Sequence, residues 1–194
     1  MVSDSIKNDL ALGNDKGETA PMVIAEPNET VRAAYKAGAF ALIISGGAIL
    51  TALAYEYIGG YAPCPLCLEQ RYAYYVGVPL LFIALVFVSA DHRYPAGLIF
   101  LFVSLAFLAN AGLGVYHAGV EWGFWPGPDS CTGVQEIATS AGGLLESLSS
   151  TTVIRCDQAA WRFAGLSFAG WNVVASLVAS GASLRAAADS VPSD

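Results

Sequence analysis

Four runs of the chain carry no charged residue, and each is about as long as a helix that crosses a membrane. They are Ala37–Tyr55 (19 residues), Tyr72–Ala90 (19), Tyr94–Tyr116 (23) and Phe163–Leu184 (22). At ~1.5 Å rise per residue a helix needs about 20 residues to span a ~30 Å hydrocarbon layer, and in lipid only a helix or a closed barrel satisfies its own backbone. None of the runs alternates with period two, so helices are predicted rather than barrel strands. The composition agrees: 55% of residues are hydrophobic and 13% charged, against about 25% charged in an ordinary soluble domain. A water-soluble enzyme is therefore not expected. Nor is a nucleic-acid partner, because the net charge is −7 and no basic stripe is present to neutralise phosphates. The fold class that follows is an all-α membrane protein, a four-transmembrane-helix bundle.

Residues 1–31 hold six acids, two lysines and scattered Gly and Pro, the pattern of a disordered acidic tail. No signal peptide is expected there, since the first apolar run begins only beyond Lys36. The membrane-spanning unit is expected over 32–185, with a short tail at 186–194. Four spans put both termini and the 91–95 turn on one side, and segments 56–71 and 117–162 on the other. Lys7, Lys16, Arg32, Lys36, Arg93 and Arg185 lie on the first side and Arg71, Arg155 and Arg162 on the second. The positive-inside rule places the termini in the cytoplasm and the two loops on the outer side of the membrane. Tyr55, Tyr57, Tyr61, Tyr72, Tyr74, Tyr75, Tyr116, Trp122, Trp125 and Trp161 cluster at the outer span ends, where amphipathic rings favour the headgroup layer.

All four cysteines, Cys64, Cys67, Cys131 and Cys156, fall in those two outer segments, and an oxidising compartment is where disulfides persist. Two pairs suggest themselves, Cys64 with Cys67 and Cys131 with Cys156. The first is a Cys64-Pro65-Leu66-Cys67 stretch at the head of the second span. Proline favours the first helical position, which makes Cys64 the cap and puts Cys67 in the first turn. Unpaired N–H groups and Arg71, one turn further on, should favour a thiolate there, so Cys67 is expected to be the low-pKa sulfur. Redox work is the favoured reading of this motif. A passive staple is the bland one. Zinc would need two more convergent ligands, and the other cysteines form no second close pair, so no metal is expected. A c-type haem would need His where Leu68 stands.

The second pair encloses 24 residues, in which Val134, Ile137, Ala138, Ala141, Leu144, Leu145 and Leu148 recur at helical spacing among polar residues. A short amphipathic helix is predicted in this loop, lying on the membrane or on the bundle. Asn110 and Asn172, uncharged but costly in lipid, should face other helices as polar glue.

The run Cys64-Pro65-Leu66-Cys67-Leu68-Glu69-Gln70-Arg71 heading the second of four spans, followed by a long loop with two spaced cysteines before the last span, resembles the DsbB family. So do Tyr116-His117-Ala118-Gly119-Val120-Glu121-Trp122 and Cys156-Asp157-Gln158-Ala159-Ala160-Trp161-Arg162. These are bacterial inner-membrane, quinone-linked, disulfide-forming oxidoreductases, and the likeness covers about Arg32 to Arg185. The resemblance implies catalytic cysteines at Cys64, Cys67, Cys131 and Cys156. Cys67 would be the thiolate beside a ubiquinone or menaquinone and Arg71 its cationic neighbour. His117 falls near the family's quinone-site histidine, and Glu121 at a position often amide-bearing. Cys131 would receive the thiolate of a periplasmic DsbA-like thioredoxin-fold partner. Two other functions are open. A vitamin K epoxide reductase-like enzyme also couples cysteine pairs to quinone, but its loop cysteines precede the C-x-x-C. A non-catalytic membrane scaffold would use both pairs as structural disulfides.

Overall fold

A computed structural model describes residues 29–128 and 155–191. The chain is mostly helical: α1 Glu29–Tyr57, α2 Pro65–Ser89, α3 Arg93–Glu121 and α4 Phe168–Ser190, with a two-stranded hairpin (β1 Arg162–Phe163, β2 Leu166–Ser167) just before α4. Helices α1, α2 and α3 are long and apolar enough to cross a membrane. Helix α4, rich in Ala, Ser and Gly, is less apolar.

The helices outrun the uncharged blocks at most ends. Helix α1 begins at Glu29, inside the stretch expected to be tail, and α4 continues to Ser190, past the expected boundary at 185. Helix α2 starts at Pro65, as the Cys-Pro pair predicts and ahead of the uncharged block that begins at Tyr72, because Cys64 caps it and Leu66, Leu68, Glu69 and Gln70 are good helix formers. Charge-free length therefore marks the lipid-facing part of a helix and not its hydrogen-bonded length. The last helix departs the other way. Residues 163–167, expected as its first turn, form instead the hairpin with Arg162 opposite Ser167 and Phe163 opposite Leu166. Ala164 (φ 52°) and Gly165 (φ 83°) make its two-residue turn, a left-handed pair that suits the twist of a hairpin. Ser167 then caps α4 by accepting a hydrogen bond from the Gly170 N–H at 3.2 Å. The amphipathic segment expected near 134–148 lies outside the described residues.

The helices form a ring, each packed on its chain neighbours and α4 closing onto α1, with α2 and α4 across the diagonal. Helix α4 contributes small residues to the interior, Ala169, Gly170, Ser176, Ala179, Ser180, Ser183, Ala186 and Ala187, while Leu81, Phe100, Val103 and Phe107 of α2 and α3 fill the core and Phe40, Ile43, Leu50, Phe82, Phe102, Leu105, Leu108 and Leu177 point outward. Small residues on α4 and large apolar ones on the outer surface suit helix association in lipid, where close backbone approach replaces the hydrophobic effect as the driving force. Polar contacts add to it. Ser104 and Ser180 each donate to the other's carbonyl, at 3.0 and 2.9 Å. Deeper toward the cysteine end, the Tyr74 hydroxyl donates to Asn172 Oδ1 at 2.7 Å and Asn110 Nδ2 to Ser176 Oγ at 2.9 Å. Asn110 and Asn172 thus face neighbouring helices, as their cost in lipid predicts.

Candidate redox site

The site lies where the N-terminus of α2 meets the C-terminus of α3. Cys64 is the N-cap of α2, with extended backbone (φ −76°, ψ 165°), and Pro65 occupies the first turn. The Cys64 Sγ accepts a hydrogen bond from the Cys67 N–H at 3.3 Å and lies 2.9 Å from the Cys67 Sγ, both cysteines being in the thiol form. A sulfur in this place does what a Ser or Asp cap does, satisfying an orphan amide at the positive helix end.

Helix α3 brings the third group. His117, 2% exposed, places Nε2 3.6 Å from Cys64 Sγ, and its Nδ1 lies 2.8 Å from Gln70 Nε2. With the amide N–H on Nδ1, the neutral ring carries its proton on Nε2, facing the sulfur. The charge of the reduced pair settles on Cys64. Its pKa is lowered to about 5 from 9 for an ordinary thiol, first by the hydrogen bond from the Cys67 thiol, against the cost of burial, and then by His117. This corrects the expectation that Cys67 carries the low pKa. The helix-end argument was sound, but the capping sulfur receives the amide.

Arg71 also departs from expectation. It is largely buried, and its guanidinium forms an ion pair with the Glu56 carboxylate at the end of α1 rather than reaching for Cys67. Both Cys67 and Arg71 line one cavity of about 460 Å³, together with His117, Glu121, Trp161 and Asn172. Glu121 is buried, with Oε1 3.8 Å from His117 Nε2 and Oε2 without a partner among the described residues. One wall is aromatic: Tyr55 and Phe168 meet edge to face at 5.0 Å, and Trp161 stacks on Phe168 at 5.3 Å.

Cys156 is 1% exposed, disulfide-bonded, and buried in one cluster with Cys64, Leu66 and Val120. Cys131 lies outside the described residues. The fold therefore gathers Cys64, Cys67, Cys156, His117, Glu121 and Arg71 at one end of the bundle. Two partners escaped the sequence reading. Gln70 stands three residues after Cys67, on the same helix face, which was a usable signal. Glu56, the first acid after the first span, becomes visible only once α1 and α2 are packed.

A capped dithiol beside a buried histidine, at one end of a bundle with an apolar exterior, marks a membrane protein with a paired-cysteine candidate site. Comparison with known proteins agrees. The family model described as "Disulfide bond formation protein DsbB" matches residues 35–185. The chain belongs to the DsbB family of disulfide-bond-forming membrane proteins. It is 29% identical over 140 residues to Disulfide bond formation protein B of Marinobacter nauticus, covering 68% of this chain and 79% of the relative. It is also 28% identical over 135 residues to the uncharacterised protein RP370 of Rickettsia prowazekii, covering 69% and 76%. No solved structure matches the chain.

Proposed function

We propose that the protein is a membrane thiol oxidase. It takes two electrons from a periplasmic DsbA-like thioredoxin-fold dithiol, passes them through Cys131–Cys156 and then Cys64–Cys67, and delivers them to a membrane quinone. The net reaction is dithiol plus quinone to disulfide plus quinol. One observation carries the reading: Cys64 packs in the same cluster as Cys156 while lining, with Cys67, the cavity at the bundle end. A single sulfur pair thus adjoins both Cys156 and the cavity. The chamber suits a flat, mostly apolar ring, having an aromatic wall and a few polar groups, Arg71, His117 and Glu121, at one end. A quinone held there supplies the acceptor for two electrons and two protons.

The chain's own steps follow from thiol–disulfide exchange. The partner thiolate attacks Cys131, breaking the Cys131–Cys156 bond and freeing Cys156. The Cys156 thiolate attacks Cys64, its neighbour in the cluster, forming Cys64–Cys156 and freeing the Cys67 thiolate at the cavity wall. The partner's second thiolate resolves its bond to Cys131. The freed Cys131 thiolate attacks Cys156, restoring the loop disulfide and releasing Cys64 as a thiolate under the His117 N–H. Both electrons now sit on Cys64 and Cys67, and re-forming their disulfide gives them up. His117 and Glu121, 3.8 Å apart, stand beside the cavity as the groups that relay protons there. Arg71, fixed by Glu56, keeps a positive charge on its wall.

Partner capture tests the reading. A reduced partner whose second cysteine is replaced by alanine can still attack the Cys131–Cys156 disulfide but cannot resolve its bond to Cys131, so with it a mixed disulfide should accumulate on non-reducing gels. It should not form when Cys131 is replaced. An impermeant maleimide should label the free Cys131 in intact cells of Cys156→Ala but not a cysteine placed at Arg93. Absence of any adduct removes the donor assignment, and labelling at 93 inverts the topology.

A further inference from the structure

The reduced pair is also the start of a metal site. The sequence offers two ligands, Cys64 and Cys67, but the fold adds His117, and the three ligand atoms all lie within 4.8 Å of one another. Tetrahedral zinc, with Zn–S of about 2.3 Å and Zn–N of about 2.0–2.1 Å, sets ligand-to-ligand separations of roughly 3.8 Å for S···S and roughly 3.5 Å for S···N. Cys64 Sγ to His117 Nε2 is already 3.6 Å. The sulfurs, at 2.9 Å, need only open by rotation about their Cβ atoms. Glu121, with Oε1 3.8 Å from Nε2, stands beside this trio without joining it, which leaves the fourth tetrahedral position to a water. Gln70 on Nδ1 is the outer-shell contact that orients a metal-bound histidine, its amide turning so that the oxygen accepts the Nδ1–H.

We propose that Cys64, Cys67 and His117, with a water in the fourth position, form a tetrahedral site for a thiophilic divalent cation such as Zn²⁺, present only while the cysteine pair is reduced. Binding forms two metal–sulfur bonds, one metal–nitrogen bond and one bond to water. The remaining thiol proton leaves to solvent, the His117 proton shifts from Nε2 to Nδ1, and no electron moves. Both sulfurs are then ligands, so their disulfide cannot form until the ion departs. The cation is a reversible lock on the reduced state. The inference rests on ligand geometry alone and stands whether or not a quinone is the acceptor.

Cobalt(II) is the probe, because thiolate-to-cobalt charge-transfer bands and the visible bands of tetrahedral cobalt report ligation directly. The full chain is purified in detergent as the Cys131→Ser/Cys156→Ser variant, reduced, freed of reductant and titrated with Co²⁺. One ion per chain with both sets of bands is expected, and none after oxidation of the pair with diamide. Zn²⁺ should displace the cobalt. In the same background, Cys64→Ser should abolish the charge-transfer bands. His117→Ala should weaken binding by more than the roughly 10- to 100-fold typical of an outer-shell change. The wild-type chain should show the same loss of bands on adding Cys64→Ser, a check that does not need the loop cysteines removed. Absence of bands in the reduced chain, bands that survive Cys64→Ser, or unchanged affinity in His117→Ala would each overturn the site.

Discussion

Replacing His117 with alanine should move the acidity of Cys64, and the size of the move can be worked from one contact. The His117 Nε2–H faces the Cys64 sulfur at 3.6 Å in a buried setting. Hydrogen bonds to charged groups contribute about 1.5–3 kcal/mol, and 1.36 kcal/mol corresponds to one pKa unit. The contact favours the thiolate, so its loss must raise the pKa, from about 5 to roughly 6–7. At pH 5 the thiolate fraction then falls from about one half to between roughly a tenth and a hundredth. The assay is the pH dependence of alkylation by iodoacetamide in the reduced chain lacking the loop pair, with Cys64 modification followed by peptide mass spectrometry. His117→Ala should shift the inflection upward while the rate at high pH stays near the parent's. An inflection that stays near 5 would show that the Cys67 contacts alone hold the charge, and would remove His117 from the thiolate's support.

Arg71→Ala should slow quinone-linked turnover roughly 10- to 150-fold, from a charge-assisted contact of about 1.5–3 kcal/mol, while leaving partner capture by Cys131 nearly unchanged. Because it also strands the Glu56 carboxylate, the thermal midpoint should fall, and adding Glu56→Gln should restore the midpoint but not the turnover; recovery of both would make Arg71 a structural residue only. In Cys67→Ser the Cys64 thiolate has no disulfide of its own, so it should attack the Cys131–Cys156 disulfide at Cys156, forming Cys64–Cys156 and freeing the Cys131 thiolate without any added partner, visible as a cross-linked peptide in non-reduced digests. Its absence would mean that the shared cluster is packing and not an exchange route.

Much of this architecture is legible in the residues. Uncharged length located the helices, and Cys-Pro at the head of the second predicted the cap, because proline's fixed φ suits the first turn whatever surrounds it. The cost of amides in lipid likewise placed Asn110 and Asn172 between helices. Other features depended on how helices rotate against one another, which no local rule supplies. Arg71 sits one turn after Cys67, but the packing of α1 on α2 offers it Glu56 instead. Ala164-Gly165 read as apolar helix, although the same two residues close the hairpin with left-handed backbone. The polarity of the cysteine pair was missed for a different reason. The physics of helix ends was applied to the sulfur inside the first turn, while the N-cap, which takes the amide of the third helical residue, was Cys64 itself.

Anaerobic stoichiometry tests the central claim most directly. The purified chain is mixed with a reduced thioredoxin-fold partner and a soluble quinone, and quinol is followed by absorbance while partner thiols are counted. One quinol should appear for each partner disulfide formed, over many turnovers, and none in Cys64→Ser. Partner oxidation that stops after the chain's own disulfides are spent, with no quinol formed, would contradict the account.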